Sequence, residues 1–174
     1  MLGLKKPFPK IKNPTHSHHF RPISVLSTLS KIAERYINSI LRSYLSHSLS
    51  CSQFGFRPGR GTQDALDTVI HNIYSRLTSH PRVGAISLDI TKAFDCVVHN
   101  RLFSILVHHN IPLLLFFIIQ SYLTNRTQSV RVRDVVSAKV DISSGVPQGS
   151  VLGPTLFLIL VKKNAKRHYR RGHD

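Results

Sequence analysis

Ala85-Ile86-Ser87-Leu88-Asp89-Ile90-Thr91-Lys92-Ala93-Phe94-Asp95 is an apolar run that ends on a carboxylate, followed by an aromatic and a second carboxylate. Only 8 of the 174 residues are acidic, and two of them sit in this stretch. The run from Val83 to Asp89 is continuously apolar, which predicts a central strand buried on both faces rather than an edge strand. Such a strand would carry Asp89 at its C-terminal tip, a position from which a carboxylate can serve as a metal ligand. The alternative is an Asp that only caps the exit of the chain from the strand.

Composition narrows the possible partners. Lys and Arg number 24 against 8 Asp and Glu, a formal charge of +16, and Glu34 is the sole glutamate. Most cations therefore have no acidic partner, which favours a polyanion: nucleic acid first, an anionic membrane surface second. A chain of 174 residues, 41% apolar, can enclose one core and is not disordered throughout. Cys51 and Cys96 have no metal-type spacing and read as free thiols in a reducing compartment. Met1 to Lys6 lacks the apolar segment of a signal peptide, and the uninterrupted apolar run Leu113–Ile119 is far shorter than the ~20 residues of a membrane span. An intracellular location, cytoplasm or nucleus, without membrane contact is the expectation.

Along the chain, residues 1–19 are rich in Lys, Pro and His without a period and read as a basic extended arm. His16, His18 and His19 within it read as solvated, a metal cluster being the alternative. From Val25 to Leu45 apolar residues recur at helical spacing, with Ser24 or Ser27 available as the cap. Gln53-Phe54-Gly55-Phe56-Arg57-Pro58-Gly59-Arg60-Gly61-Thr62 is a loop that mixes aromatics, glycines and arginines, suited to phosphate contact and stacking, or simply a turn before a helix with Thr62 as N-cap. That helix would carry Ala65, Leu66, Val69, Ile70, Ile73 and Leu77 inward and stop at His80-Pro81. Two apolar helices are predicted over residues 100–107 and 112–123, with Pro112 at a first helical position. A hairpin with one wet, basic face is predicted over 128–133 and 138–143. A Gly-rich loop, 144–150, leads into a last apolar helix from Leu152. After Val161 six of the 24 basic residues crowd into a tail, yet residues 1–160 keep 18 against 7 acids, so the basic character belongs to the body.

Four blocks, in this order, resemble the reverse transcriptases of non-LTR retrotransposons. Phe20-Arg21-Pro22-Ile23-Ser24-Val25-Leu26 with Leu29-Ser30-Lys31-Ile32 resembles the first fingers motif, and the 53–62 loop resembles the second. Leu88-Asp89 through Phe94-Asp95 to His99 resembles polymerase motif A, and Ser144-Gly145-Val146-Pro147-Gln148-Gly149-Ser150-Val151-Leu152-Gly153-Pro154 resembles motif B. Ser121-Tyr122-Leu123-Thr124-Asn125-Arg126 fits the linker before the hairpin. A group II intron or other bacterial enzyme is the nearest rival, and Ser24-Val25-Leu26 with the Gly55–Arg60 block favours the retrotransposon branch.

The resemblance implies an α+β fold, a partial right-hand polymerase of fingers and incomplete palm with helices packed on a small, mainly antiparallel sheet. It implies an arm over 1–19, a partial reverse transcriptase domain over 20–160 and a non-homologous basic tail over 161–174. It implies that Asp89 and the Ile90 carbonyl hold Mg²⁺, Phe94 sits under the sugar and excludes a 2′-hydroxyl, and Gln148 and Gly149 line the nucleotide pocket. Arg21 and Lys31 would reach the incoming triphosphate, and Arg57 and Arg60 would track the template; for Lys31, Arg57 and Arg60 a solvated basic face is the alternative. The partners implied are an RNA template, a DNA primer and deoxynucleoside triphosphates. One element of the pattern is missing: no Asp-Asp pair follows motif B, and the only acid after Gln148 is Asp174. The chain is therefore expected to be a truncated or frameshifted polymerase fragment, inactive alone, the alternative being a non-catalytic nucleic-acid-binding remnant or a pseudogene product.

Overall fold

Burial in this chain follows a few narrow helical faces rather than every apolar stripe. The computed structural model describes residues 2–45 and 49–169, with side chains placed as far as residue 161. The chain divides into two units, Met1–His47 with Lys92–Asp174, and Ser48–Thr91.

The first unit is α+β. Its sheet runs in the order β2-β1-β3-β4, with β1 at Leu2–Pro9, β2 at Phe20–Val25, β3 at Arg126–Val132 and β4 at Val135–Val136, while β5 (Val140–Ile142) also pairs with β3. β1 lies antiparallel to β2, with Lys5 opposite Ser24 and Lys6 opposite Ile23. It lies parallel to β3, from Leu2 opposite Thr127 to Lys5 opposite Val130. The sheet is thus mixed, three pairings antiparallel and one parallel. Residues 2–9 of the expected arm are indeed extended, but they are a paired strand rather than a free one. Pro7 and Pro9 fall beyond the part of β1 that pairs with β3, where a missing N–H does least harm to the ladder. The hairpin forms as its alternation predicts, with Arg126 opposite Ile142 and Arg131 opposite Val136. The three histidine rings of the arm contact one another, His16 stacked on His18 and His18 edge-on to His19 with ring centroids 4.2 Å apart. Backbone N–H groups of Thr15 and His16 donate to His19 Nδ1, which occupies that ring nitrogen.

Helices α1 (Thr28–Leu45), α3 (His99–His108), α4 (Leu113–Leu123) and α5 (Leu152–Tyr169) supply the core, while α2 (Thr62–Leu77) belongs to the second unit. α1 begins after Val25 because that residue is still in β2, and the Ser27 hydroxyl accepts the Ser30 N–H at 3.1 Å as a cap. Leu41, Leu102, Leu106, Ile119, Leu123, Leu152 and Leu156 are fully enclosed, each contributing about 1.5–3 kcal/mol by leaving water. α1 and α3 pack on α5, and α3 packs on α4. Pro112 is the N-cap of α4 rather than its first helical residue. α5 continues past Val161 into the residues read from sequence as a basic tail; residues 170–174 lie outside the described residues.

The second unit corrects three expectations. α2 spans Thr62–Leu77 as its period predicts, but Gly61 is the N-cap, and the Asp64 carboxylate accepts the Gly61 N–H at 2.6 Å. The side chains expected to face inward are not buried: Leu66, Val69, Ile70 and Leu77 are exposed. A unit with one helix and no strand among its described residues cannot enclose an apolar face. The predicted central strand Val83–Asp89 does not form, and Ile86 and Leu88 are each 89% exposed. An apolar run becomes a strand only when its N–H and C=O groups find a ladder, and no ladder of the described residues includes it. Leu88→Asn is accordingly expected to change the unfolding free energy read from urea melts by no more than about 0.5 kcal/mol, as for a surface site. A buried strand position would lose several times that on losing its apolar side chain.

Candidate functional site

Two glycines shape the loop between β5 and α5. Gly145 has φ +89°, and a Cβ there would lie 3.1 Å from both Asp95 Cα and the Phe94 carbonyl oxygen. Gly149 has φ +95°, and a Cβ would lie 3.0 Å from Ile23 Cγ2. Both positions therefore combine the left-handed conformation with a close approach, to backbone atoms at Gly145 and to the Ile23 side chain at Gly149, which leaves glycine as the fitting residue. The first glycine joins the loop to the residues after the opening stretch: Gly145 N–H donates to the Val97 carbonyl at 2.8 Å, and Val146 N–H to the Phe94 carbonyl at 2.9 Å. The buried His99 closes the same junction through Nε2, 2.8 Å from the Gly145 oxygen. A carbonyl only accepts, so Nε2 carries the proton. The second glycine joins the loop to β2, where Ser24 N–H donates to the Gln148 carbonyl at 2.9 Å.

Motif B, the end of motif A and the first fingers block thus meet in one unit. Phe94 is partly buried with its ring 5.4 Å from that of Phe157. Gln148 is half-buried and Gly149 exposed. Arg21 lies on β2 opposite Phe8 and is exposed, as is Lys31 in the first turn of α1.

Asp89, Ile90, Arg57 and Arg60 belong to the second unit. Asp89 and Ile90 are exposed in a segment without regular structure. Arg57 Nη1 donates to the Ser50 carbonyl at 2.7 Å, Arg60 donates to the Cys51 carbonyl, and the Arg60 guanidinium stacks 5.4 Å from the Phe54 ring centre. These two arginines therefore brace their own loop, which a solvated basic face does not require.

Glu34 is a functional-looking residue that sequence reading passed over. Glu34 is 3% exposed, and its carboxylate accepts hydrogen bonds from the backbone N–H groups of Val151 (2.7 Å) and Leu152 (3.2 Å) and from the Tyr122 hydroxyl (3.2 Å). A carboxylate from α1 thus caps the start of α5, directly after the glycine loop. The signal was available: the sole glutamate of a basic chain lies on the same helical face as Ile37, Leu41 and Leu45.

Burial pushes the Tyr122 hydroxyl up to about 12, the Glu34 charge adding to the rise while Ser150 and Arg126 oppose it. A folded-state value above the unfolded one stabilises the fold below pH 10, and that contribution disappears as pH rises through 12. Wild type is expected to lose roughly 2–3 kcal/mol more than Tyr122→Phe between pH 10 and 12 in urea melts. Parallel pH profiles would contradict the assignment.

The metal-binding expectation meets a thin donor set. Among the described residues no group of three or more His, Cys, Asp and Glu side chains is arranged so that it could hold a metal ion. A two-metal centre needs carboxylates shared between ions about 4 Å apart. Asp89 with one neighbouring carbonyl does not provide that, so no chemical step is derived through the ions. No helix among the described residues is long and apolar enough to cross a membrane.

A family profile described as reverse transcriptase (RNA-dependent DNA polymerase) matches residues 8–171, past the boundary at Val161 where the resemblance was expected to end. The chain is 36% identical over 142 residues to a probable RNA-directed DNA polymerase from transposon X-element of Drosophila melanogaster, covering 80% of this chain and 16% of that protein. It is 35% identical over 161 residues to the one from transposon BS of the same species, covering 91% and 17%. It is 37% identical over 157 residues to the RNA-directed DNA polymerase from mobile element jockey, also of D. melanogaster, covering 85% and 16%. The chain spans about a sixth of the length of these curated relatives.

Proposed function

The chain belongs to the reverse transcriptase (RNA-dependent DNA polymerase) family, and from that premise we propose that it is a portion of the RNA-directed DNA polymerase of a non-LTR retrotransposon, inactive in DNA synthesis by itself. The observation that carries this reading is the family match over nearly the whole chain, with four motif blocks in order. Its architecture is read as fingers plus part of a palm, the α+β unit with its mixed sheet being compatible with both.

Within this reading the chain holds and orients substrates. The glycine loop fixes Gln148 and Gly149 against β2, so the groups assigned to the nucleotide pocket are set by backbone hydrogen bonds rather than by mobile side chains. Phe94 is backed by Phe157, the rigidity a side chain needs to reject a 2′-hydroxyl by contact. Arg21 and Lys31 supply exposed charge for a triphosphate. Asp89 and the Ile90 carbonyl are the candidate donors to Mg²⁺, the ion that would activate the primer hydroxyl in the family's reaction, and they fall short of a full site. The partners proposed are an RNA template, a DNA primer and deoxynucleoside triphosphates.

The test uses the purified chain with poly(rA)·oligo(dT) and Mg²⁺. We expect binding that weakens steeply with salt, each phosphate neutralised adding about −0.7 to −0.9 to the log–log slope, and no primer extension above a protein-free control. Robust extension would refute the claim of inactivity, and absence of salt-dependent binding would remove the substrate-holding role.

A further inference from the structure

One face of the sheet in the first unit carries an unassigned polar cavity. Its floor includes Lys5, Ser24 and Arg126, and its wall is formed by Asp95, Ser144 and Gly145. The register accounts for the floor: Lys5 lies opposite Ser24, while Lys6, one residue on, projects from the opposite face. Gly3 also lines the cavity beside the Arg126 guanidinium, a Cβ there lying 3.9 Å from Nη2.

The charges in this cavity are not matched within the protein. Arg126 is 4% exposed, donates from Nη1 to the Tyr122 carbonyl at 3.2 Å, and stacks 5.1 Å from the Tyr122 ring centre. Its Nε has no hydrogen-bond partner among the described residues. A guanidinium cannot shed its proton to escape burial, so an unmatched one is costly unless an anion joins it. Lys5 is the second cation, and Asp95 is the only acid on the wall.

We propose that this cavity is a binding site for a phosphate-type oxyanion, held between the Lys5 ammonium and the Arg126 guanidinium with the Ser24 hydroxyl as a further donor. Burial holds the Lys5 amine below its ordinary lysine value, with Asp95 opposing the lowering and Arg126 adding to it. The inference rests on the cavity alone and stands apart from the polymerase reading.

The test is protection of Lys5 from amine acetylation, read by mass spectrometry on the full chain, in inorganic phosphate against sodium chloride at equal ionic strength. Phosphate is expected to slow acetylation of Lys5 at least fivefold and to leave Lys6 unchanged. Phosphate is also expected to raise the thermal midpoint of wild type and of Lys6→Met, and the rise should vanish in Lys5→Met. Equal labelling of Lys5 in both salts, or a phosphate-dependent rise retained by Lys5→Met, overturns the proposal. If Lys5→Met does not fold, the labelling of wild type decides alone. With the site present, thymidine triphosphate and an oligothymidylate without terminal phosphates separate the sources, the tighter protector identifying a free nucleotide or a strand phosphate.

Discussion

Gly145→Val should remove about 3–5 kcal/mol of stability and leave little or no cooperative urea transition in the first unit. Two effects combine. The left-handed conformation at φ +89° is disfavoured for a residue with a Cβ, by about 1–2 kcal/mol and more for a β-branched one. The new Cβ also meets backbone atoms of Phe94 and Asp95 at 3.1–3.2 Å, which cannot rotate away as a side-chain tip can. Forcing such a contact shifts the backbone, typically for another 1–3 kcal/mol. Gly59→Ala is the control: φ is +67° but nothing lies within 4 Å, so only the conformational part, about 1 kcal/mol, should be lost. A Gly145→Val chain within 1 kcal/mol of wild type would show that the two segments do not meet as described.

Glu34→Ala ranks second, with an expected loss of about 3 kcal/mol. It removes the acceptor of two α5 N–H groups and of the Tyr122 hydroxyl, all in a buried setting, and each orphaned donor costs about 1–3 kcal/mol. Glu34→Gln keeps a carbonyl acceptor but loses the charge at the helix start, so about half the effect should remain. Hydrogen exchange gives a local reading: the amides of Val151 and Leu152 should lose protection beyond the global change. An Ala variant that unfolds within 0.5 kcal/mol of wild type would sink the capping role.

The helices were legible where apolar period and burial coincide. α3, α4 and the start of α5 are apolar enough to read as core helices, although Leu113, Leu114 and Phe117 of α4 stay exposed, and the hairpin is suggested by the alternation from Val130 to Arg133. α1 was legible as a helix but not by face: its stripe includes Leu29, Ile32 and Tyr36, all exposed, whereas the enclosed line runs through Glu34, Leu41 and Leu45. An acid at the centre of a buried face can only be understood once its partners, 88 to 118 residues away, are known. The stretch 83–89 has the composition of a buried strand, yet composition cannot supply a neighbour to pair with. The glycine loop was legible as a motif, but the reasons for its glycines, contacts with Phe94–Asp95 and with Ile23, lie in tertiary structure. β1 was the least visible element, because a Lys- and Pro-rich segment gains strand character only from the two strands beside it.

That last element sets an order of events during synthesis. Leu2 pairs with Thr127, so this strand waits on the ribosome for one made about 125 residues later. At about 5–20 residues per second the delay is roughly 6–25 seconds. In that interval β1 and β2 can already form their antiparallel pair, but the side of β1 meant for β3 stays open as an unpaired edge. The lysines at positions 5 and 6 then act as temporary guards, their mutual repulsion between nascent chains discouraging the edge from pairing with a neighbour before its own partner has been made.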